Sequence, residues 1–246
     1  MLSLMNEIPA EELKERLAAL GYDCGPSGGD ARAVMWALKW FARRNGIPEE
    51  DAAVRERLFS PDAAGGFEGP FQVYSMKDPL WADYPYKAAN TAVTETISTS
   101  GCGPTSMAMA VSTLLGRAVL PPVLSDWALE GGHRDPDGIN GTYDSFFPAL
   151  AEVYGLRAER VDMTDRSAFE AVRAALGAGS AVIANVKAAS PYTNGGHYNL
   201  IRALRGEYVH IGDPSPRNLE EPDHTIDEWI GGSWATHFFV VSRPEA

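Results

Sequence analysis

Ser100-Gly101-Cys102-Gly103-Pro104-Thr105-Ser106-Met107-Ala108-Met109 sets a cysteine between two glycines, just ahead of an apolar run. Pro104 suits the first turn of a helix, where its missing N–H costs nothing. Met107, Met109, Val111, Leu114 and Leu115 carry the run to Gly116, so a helix is expected over 104–115. Cys102 therefore stands at the head of that helix, where free N–H groups and the macrodipole favour an anion. The effect is small, about 0.3–1 kcal/mol, which is less than one pKa unit. An isolated thiol has a pKa near 8.5 and is only about 3% thiolate at neutral pH. A reactive cysteine here needs a cationic imidazole beside it. The flanking glycines are expected to let the backbone turn sharply and leave the sulfur accessible.

Five histidines are available: His133, His197, His210, His224 and His237. His197 is the best placed. It follows the turn Asn194-Gly195-Gly196 and opens the strand Tyr198-Asn199-Leu200-Ile201. The next strand, Tyr208-Val209-His210-Ile211-Gly212, runs into Asp213-Pro214. With Arg205-Gly206 as a two-residue hairpin turn, Leu204 pairs with Glu207 and position 197 falls opposite position 214. Asp213 then lies beside His197 across the ladder. A carboxylate there can hold the imidazole's tautomer while the other ring nitrogen serves the thiol.

Outward from this core, helical patterns lie near 123–130, 143–154 and 167–177. Strands are expected at 180–187, 198–204, 207–212 and 235–242, with a capping box at Thr225-Ile226-Asp227-Glu228. Helices first and antiparallel strands second predict an α+β fold. Residues 1–63 read as a small three-helix bundle. Pro9 stands in the first turn of a helix with Leu13, Leu17 and Leu20. Asp30 caps a second helix with Val34, Leu38 and Phe41. Pro48 opens a third with Val54 and Leu58. Trp36 and Trp40, four apart on one face, read as core or interdomain contact in preference to a sugar platform. The Gly- and Pro-rich residues 64–71 read as a linker to a second domain, 72–246.

The chain has 246 residues and a net charge of −12. Such an acidic surface repels phosphate backbones and anionic lipid, so neither nucleic acid nor membrane is an expected partner. Its two cysteines, Cys24 and Cys102, lack the spacing of a zinc site. A Cys24–Cys102 disulfide is conceivable but disfavoured, since the two fall in different domains. No apolar run is long enough to span a bilayer, and the first residues carry no export signal. His133-Arg134-Asp135-Pro136-Asp137-Gly138-Ile139-Asn140 lacks the glutamate that ends a calcium loop and reads as a solvated turn. No metal and no cofactor is expected.

The block Gly101-Cys102-Gly103-Pro104-Thr105-Ser106-Met107-Ala108-Met109, succeeded by Gly196-His197-Tyr198 and Gly212-Asp213-Pro214, resembles the C39-like peptidases of the papain-like superfamily. Trp81, Tyr84-Pro85-Tyr86 and Gly141-Thr142 extend the likeness over about residues 72–242. The resemblance implies a papain-like fold, Cys102 as nucleophile, His197 as base and later acid, and Asp213 as its orienter. It implies a peptide or protein substrate. One departure stands out. The family's oxyanion-hole glutamine, which precedes an Asp…Trp pair, is here Met76 ahead of Asp78 and Trp81. Gln72, Asn90 and Ser100 are the candidate substitutes, beside the backbone N–H of Cys102.

Leu17, Leu20-Gly21-Tyr22, Trp40-Phe41, Asn45-Gly46-Ile47-Pro48 and Leu58-Phe59-Ser60-Pro61-Asp62-Ala63 resemble the peptidoglycan-binding-like domain. That likeness implies a secreted or cell-wall setting and peptidoglycan as a further partner. Two functions are then open. One is a cysteine peptidase or amidase working through a thioester. The other is a catalytically silent cell-wall binder or scaffold that keeps the fold.

Overall fold

The computed structural model describes residues 2–26, 31–87, 94–137, 141–215 and 223–244. Four helices come first: α1 (Leu2–Glu7), α2 (Ala10–Ala19), α3 (Ala31–Arg44) and α4 (Asp51–Leu58). Short α5 (Ile97–Ser100) leads into α6 (Cys102–Leu115), and α7 (Pro121–Glu130) and α8 (Phe146–Val153) come after it. Then come β1 (Arg157–Asp162), α9 (Arg166–Gly177), β2 (Ala181–Val186), β3 (His197–Arg205), β4 (Tyr208–Gly212), β5 (His224–Thr225), α10 (Ile226–Gly231) and β6 (Ala235–Ser242).

The strands form one antiparallel sheet in the order β1-β6-β2-β3-β4-β5. Both of its faces are covered, so β2 is apolar almost throughout. Ile183, Leu200, Phe239 and Val241 join the core on the α6 side. Val182, Ala184, Ile201 and Phe238 meet Phe169 and Val172 of α9 and Trp229 of α10 on the other. This is the α+β, papain-like arrangement expected, with the alternation along each strand sorting residues between two cores.

Several expectations need correction. The hairpin turn is Gly206-Glu207, not Arg205-Gly206. Arg205 pairs with Tyr208 and Leu204 with Val209. Gly206 has φ +60°, the first central position that a type II′ turn reserves for glycine. A bulge between Ile201 and Ala203 then takes one residue back, so Leu200 faces Gly212. β1 and α1 were not expected. β1 is an edge strand of charged residues, Arg-Ala-Glu-Arg-Val-Asp, without an apolar stripe. α4 starts at Asp51 rather than at Pro48. The expected cap Asp30 lies outside the described residues.

The helices of residues 1–63 share a continuous core with the α5–α8 helices and the near face of the sheet. Trp40 packs edge-on to Tyr74 at 5.9 Å and against Trp81 at 5.6 Å, while Trp36 meets Tyr84 at 5.2 Å. Gly21 and Asp23 exchange backbone hydrogen bonds with Ala118. Asp23, 6% exposed, is held by Arg117 at 2.9 Å and by the Tyr154 hydroxyl at 3.1 Å. Arg43 pairs with Asp78, and Arg44 with Glu68.

Candidate active site

Cys102 is the first residue of α6, with Gly101 as its N-cap. Its glycines have a different use from the one expected. Gly101 is not left-handed (φ −85°), and the reason for glycine is close approach. A Cβ there would sit 2.6 Å from the Ile97 carbonyl oxygen, and one on Gly103 would sit 2.7 Å from Thr142 Oγ1. Small residues let the α5–α6 corner close and bring the sulfur to the surface of a cleft.

His197 opens β3 and is 8% exposed. Its Nε2 lies 2.9 Å from Oδ1 of Asp213, which is 1% exposed. The same oxygen accepts the Ser215 N–H at 2.6 Å. With the observed register, Asp213 reaches His197 diagonally across the ladder rather than from directly opposite. Nε2 being committed to Asp213, the other ring nitrogen is left for the thiol, and Cys102 and His197 lie close enough to shift each other's ionisation.

This contact sets the electrostatics. Burial pushes the Cys102 thiol up, but the hydrogen bond and charge of His197 outweigh it. The Tyr198 and Gly103 N–H groups add to the lowering, so the thiol ends below its ordinary pKa. Burial pulls the other way on His197, and is overcome by hydrogen bonds to Asp213 and to Cys102, so the imidazole is pushed up to about 10. A thiolate beside an imidazolium is the form both shifts favour.

The other histidines are placed elsewhere. His133 stacks on Trp127 at 5.1 Å, His210 meets Asp223 at 2.5 Å, His224 meets Glu228 at 3.5 Å, and His237 lies 3.3 Å from Asp144. Cys24 and Cys102 are both free.

The sulfur and imidazole open onto a cleft of about 540 Å³, walled by Met76, Glu95, Ser98-Thr99-Ser100, Thr142, Asn185, Tyr192 and Ser215. Met76 does stand at this site, 6% exposed, its N–H donating to the Pro214 carbonyl at 2.7 Å. Ser100 is on the cleft wall. Gln72 is not. Its N–H donates to Thr113 Oγ1, at the far end of α6 and ~16 Å from Cys102 at 1.5 Å per residue. Asn90 lies outside the described residues. Among the described residues no group of acidic, His or Cys side chains could hold a metal, and no helix is long and apolar enough to cross a membrane.

Sequence reasoning missed two site-building residues. The Ser106 hydroxyl, 0% exposed, donates to the Tyr198 carbonyl at 3.0 Å and ties α6 to β3. Tyr198 in turn offers its N–H to the sulfur and its hydroxyl to Asp144 at 2.7 Å. Ser106 sits one helical turn after Cys102, on the same face, and that spacing was the available signal.

A model described as the Peptidase_C39 like family matches residues 82–237, a span that contains the cysteine, the histidine and the aspartate. The chain belongs to the Peptidase_C39 like family. No curated protein matches this C39-like chain. It is similar to the peptidase domain of Streptococcus ComA, a bi-functional ABC transporter involved in quorum sensing, with a TM-score of 0.44 and 16% identity over 64% of this chain and 98% of that one. A double glycine motif protease from an AMS/PCAT transporter, solved with a leader peptide, has a TM-score of 0.40 and 16% identity over 64% of this chain and 94% of that one. A C39-like peptidase from Bacillus anthracis has a TM-score of 0.42 and 19% identity over 59% and 90% respectively.

Proposed function

We propose that this chain is a cysteine peptidase that hydrolyses a peptide bond through a thioester on Cys102. The observation that carries the reading is that Cys102 and His197 line one open cleft and shift each other's ionisation, with His197 held by Asp213 at 2.9 Å. The thiolate attacks the scissile carbonyl carbon. The charge that develops on the carbonyl oxygen is met by the Cys102 N–H, at a helix position without an intrahelical acceptor, and by the Ser100 hydroxyl. His197 then gives its proton to the leaving amine and the thioester forms. Water, deprotonated by His197, cleaves the thioester and restores the thiol. Asp213 keeps the ring's tautomer and orientation throughout.

Residues 1–63 join this reading as a helical module connected through 64–71 to the peptidase unit 72–246. Trp36 and Trp40 are spent against Tyr84, Tyr74 and Trp81. That supports a fixed cap on the peptidase unit more than a glycan-reading surface.

The test is to incubate the full chain with a mixed peptide library, quench in acid and analyse by mass spectrometry. The reading expects cleaved products together with a thioester adduct on the Cys102 peptide, and neither in Cys102→Ala. A wild-type chain that yields no product and no adduct contradicts it. One observation favours the second reading, a silent cell-wall binder. Met76 occupies the cleft where the family brings a glutamine donor. Equal retention of wild type and Cys102→Ala on peptidoglycan sacculi, with no released fragments, would favour that binder.

A further inference from the structure

A large groove lies at the opposite end of α6 from Cys102, and its charge is opposite in sign to the net charge of the chain. It has a volume of about 1060 Å³ and is lined by Arg157, Arg173, Arg202 and Arg243 against one acid, Glu159. Four positive side chains against one negative, in a chain of net charge −12, is a local inversion of sign. Arg173 is shared with Glu170 at 3.6 Å and Glu207 at 3.9 Å. The other three arginines have no carboxylate within ion-pair distance among the described residues. Two of them are held in place without being neutralised. The Arg202 guanidinium lies 5.0 Å from the Phe71 ring centre, and Arg243 donates to the Leu114 carbonyl at the end of α6.

Guanidinium groups fit carboxylates and phosphates as two-pronged donors, so the ligand is an anion. The position of the groove selects among anions. Leu114 is twelve residues along α6 from Cys102, ~18 Å at 1.5 Å per residue. Arg202 is five residues along β3 from His197, ~17 Å at 3.4 Å per residue. Both estimates are the reach of about five or six extended peptide residues. Residues 71–76 join the two places, with Phe71 on the groove and Met76 on the cleft. We propose that this groove binds an acidic segment of the substrate peptide, about six residues from the scissile bond. The inference rests on the peptidase reading above.

The test uses a tethered reagent. A peptide carries a chloroacetyl group, six Gly/Ser spacer residues and a tail of six glutamates. Its control carries six glutamines. At low salt the glutamate reagent is expected to alkylate Cys102 about tenfold faster, because the tail raises the local concentration of the electrophile. Arg157→Gln with Arg202→Gln should bring the ratio close to one. Glu159→Gln should raise it about twofold, a gain that misfolding cannot imitate. Equal rates for the two reagents, with iodoacetamide still alkylating Cys102, overturn the groove proposal and leave the peptidase reading standing. If iodoacetamide leaves Cys102 untouched, the peptidase reading fails. The groove is then judged by anisotropy of fluorescein-labelled hexaglutamate on the same variants, and is overturned if hexaglutamine binds as well. A groove that holds inorganic tripolyphosphate but shows no preference for hexaglutamate is a phosphate site, and that result also overturns the assignment.

Discussion

Cys24 and Cys102 are both free and both half-buried, yet their surroundings push them in opposite directions. Cys24 comes directly after Asp23, in the seam where the N-terminal helices meet Arg117 and Tyr154. Burial raises its thiol, Asp23 raises it further, and Lys14 and Arg117 fail to compensate, so it is pushed up to about 12. Burial raises Cys102 too, but His197 more than reverses it. The same partial burial therefore accompanies opposite shifts in the two thiols. The neighbours decide the sign: His197 lowers the Cys102 thiol by more than burial raises it, whereas Lys14 and Arg117 do not offset burial and Asp23 at Cys24.

The contrast can be broken by mutation, beginning with the thiols themselves. Cys102→Ala and His197→Ala should each lower peptide hydrolysis by about 10⁴-fold or more, read as initial rates on a cleaved peptide. Cys24→Ala should leave the rate unchanged, and a comparable loss there would erase the distinction. Asp213→Asn comes next, with a loss of about 10²-fold in kcat, since the imidazole keeps its place but loses its carboxylate. Met76→Gln is expected to raise kcat by about tenfold by adding a side-chain donor in the cleft. An unchanged rate there would mean that the Cys102 N–H and Ser100 already suffice. The smallest effect is on the unreactive side. Asp23→Asn removes the charge that raises Cys24, so the pH at which Cys24 becomes alkylated should fall, by about one unit or less.

The sequence was legible where chemistry and local geometry coincide. Pro104 and the apolar run behind it located the head of α6, and so Cys102. Gly195-Gly196 and the Asp213-Pro214 strand end located the other two members of the site. The pairing of His197 with Asp213 was found from an inexact register. The true turn lies one residue later, and the bulge between Ile201 and Ala203 restores part of the shift. A bulge has no composition signature in this hairpin, so counting alone does not reveal it. β1 was illegible for a different reason. An edge strand protects itself with charge, and Arg157 to Asp162 therefore lacks the apolar alternation by which strands are read. Gln72 failed because closeness in sequence to Met76 does not survive an extended segment. Four residues carry it from the cleft to the far end of α6. Ser106 was in plain view inside the motif, but its use depends on β3, which lies more than ninety residues away.

The most direct measurement is iodoacetamide labelling of both cysteines in the same sample across pH 5 to 11, quantified peptide by peptide. The sign of each shift fixes the outcome. A lowered thiol and a raised imidazole give Cys102 a thiolate–imidazolium plateau that begins on the acid side of an ordinary thiol and changes again only near pH 10, where His197 loses its proton. Cys24 should stay almost unlabelled up to the alkaline end. In His197→Ala the acid-side labelling of Cys102 should disappear. Two cysteines that label together along one curve near pH 8.5 to 9, with no response to His197→Ala, would contradict the account.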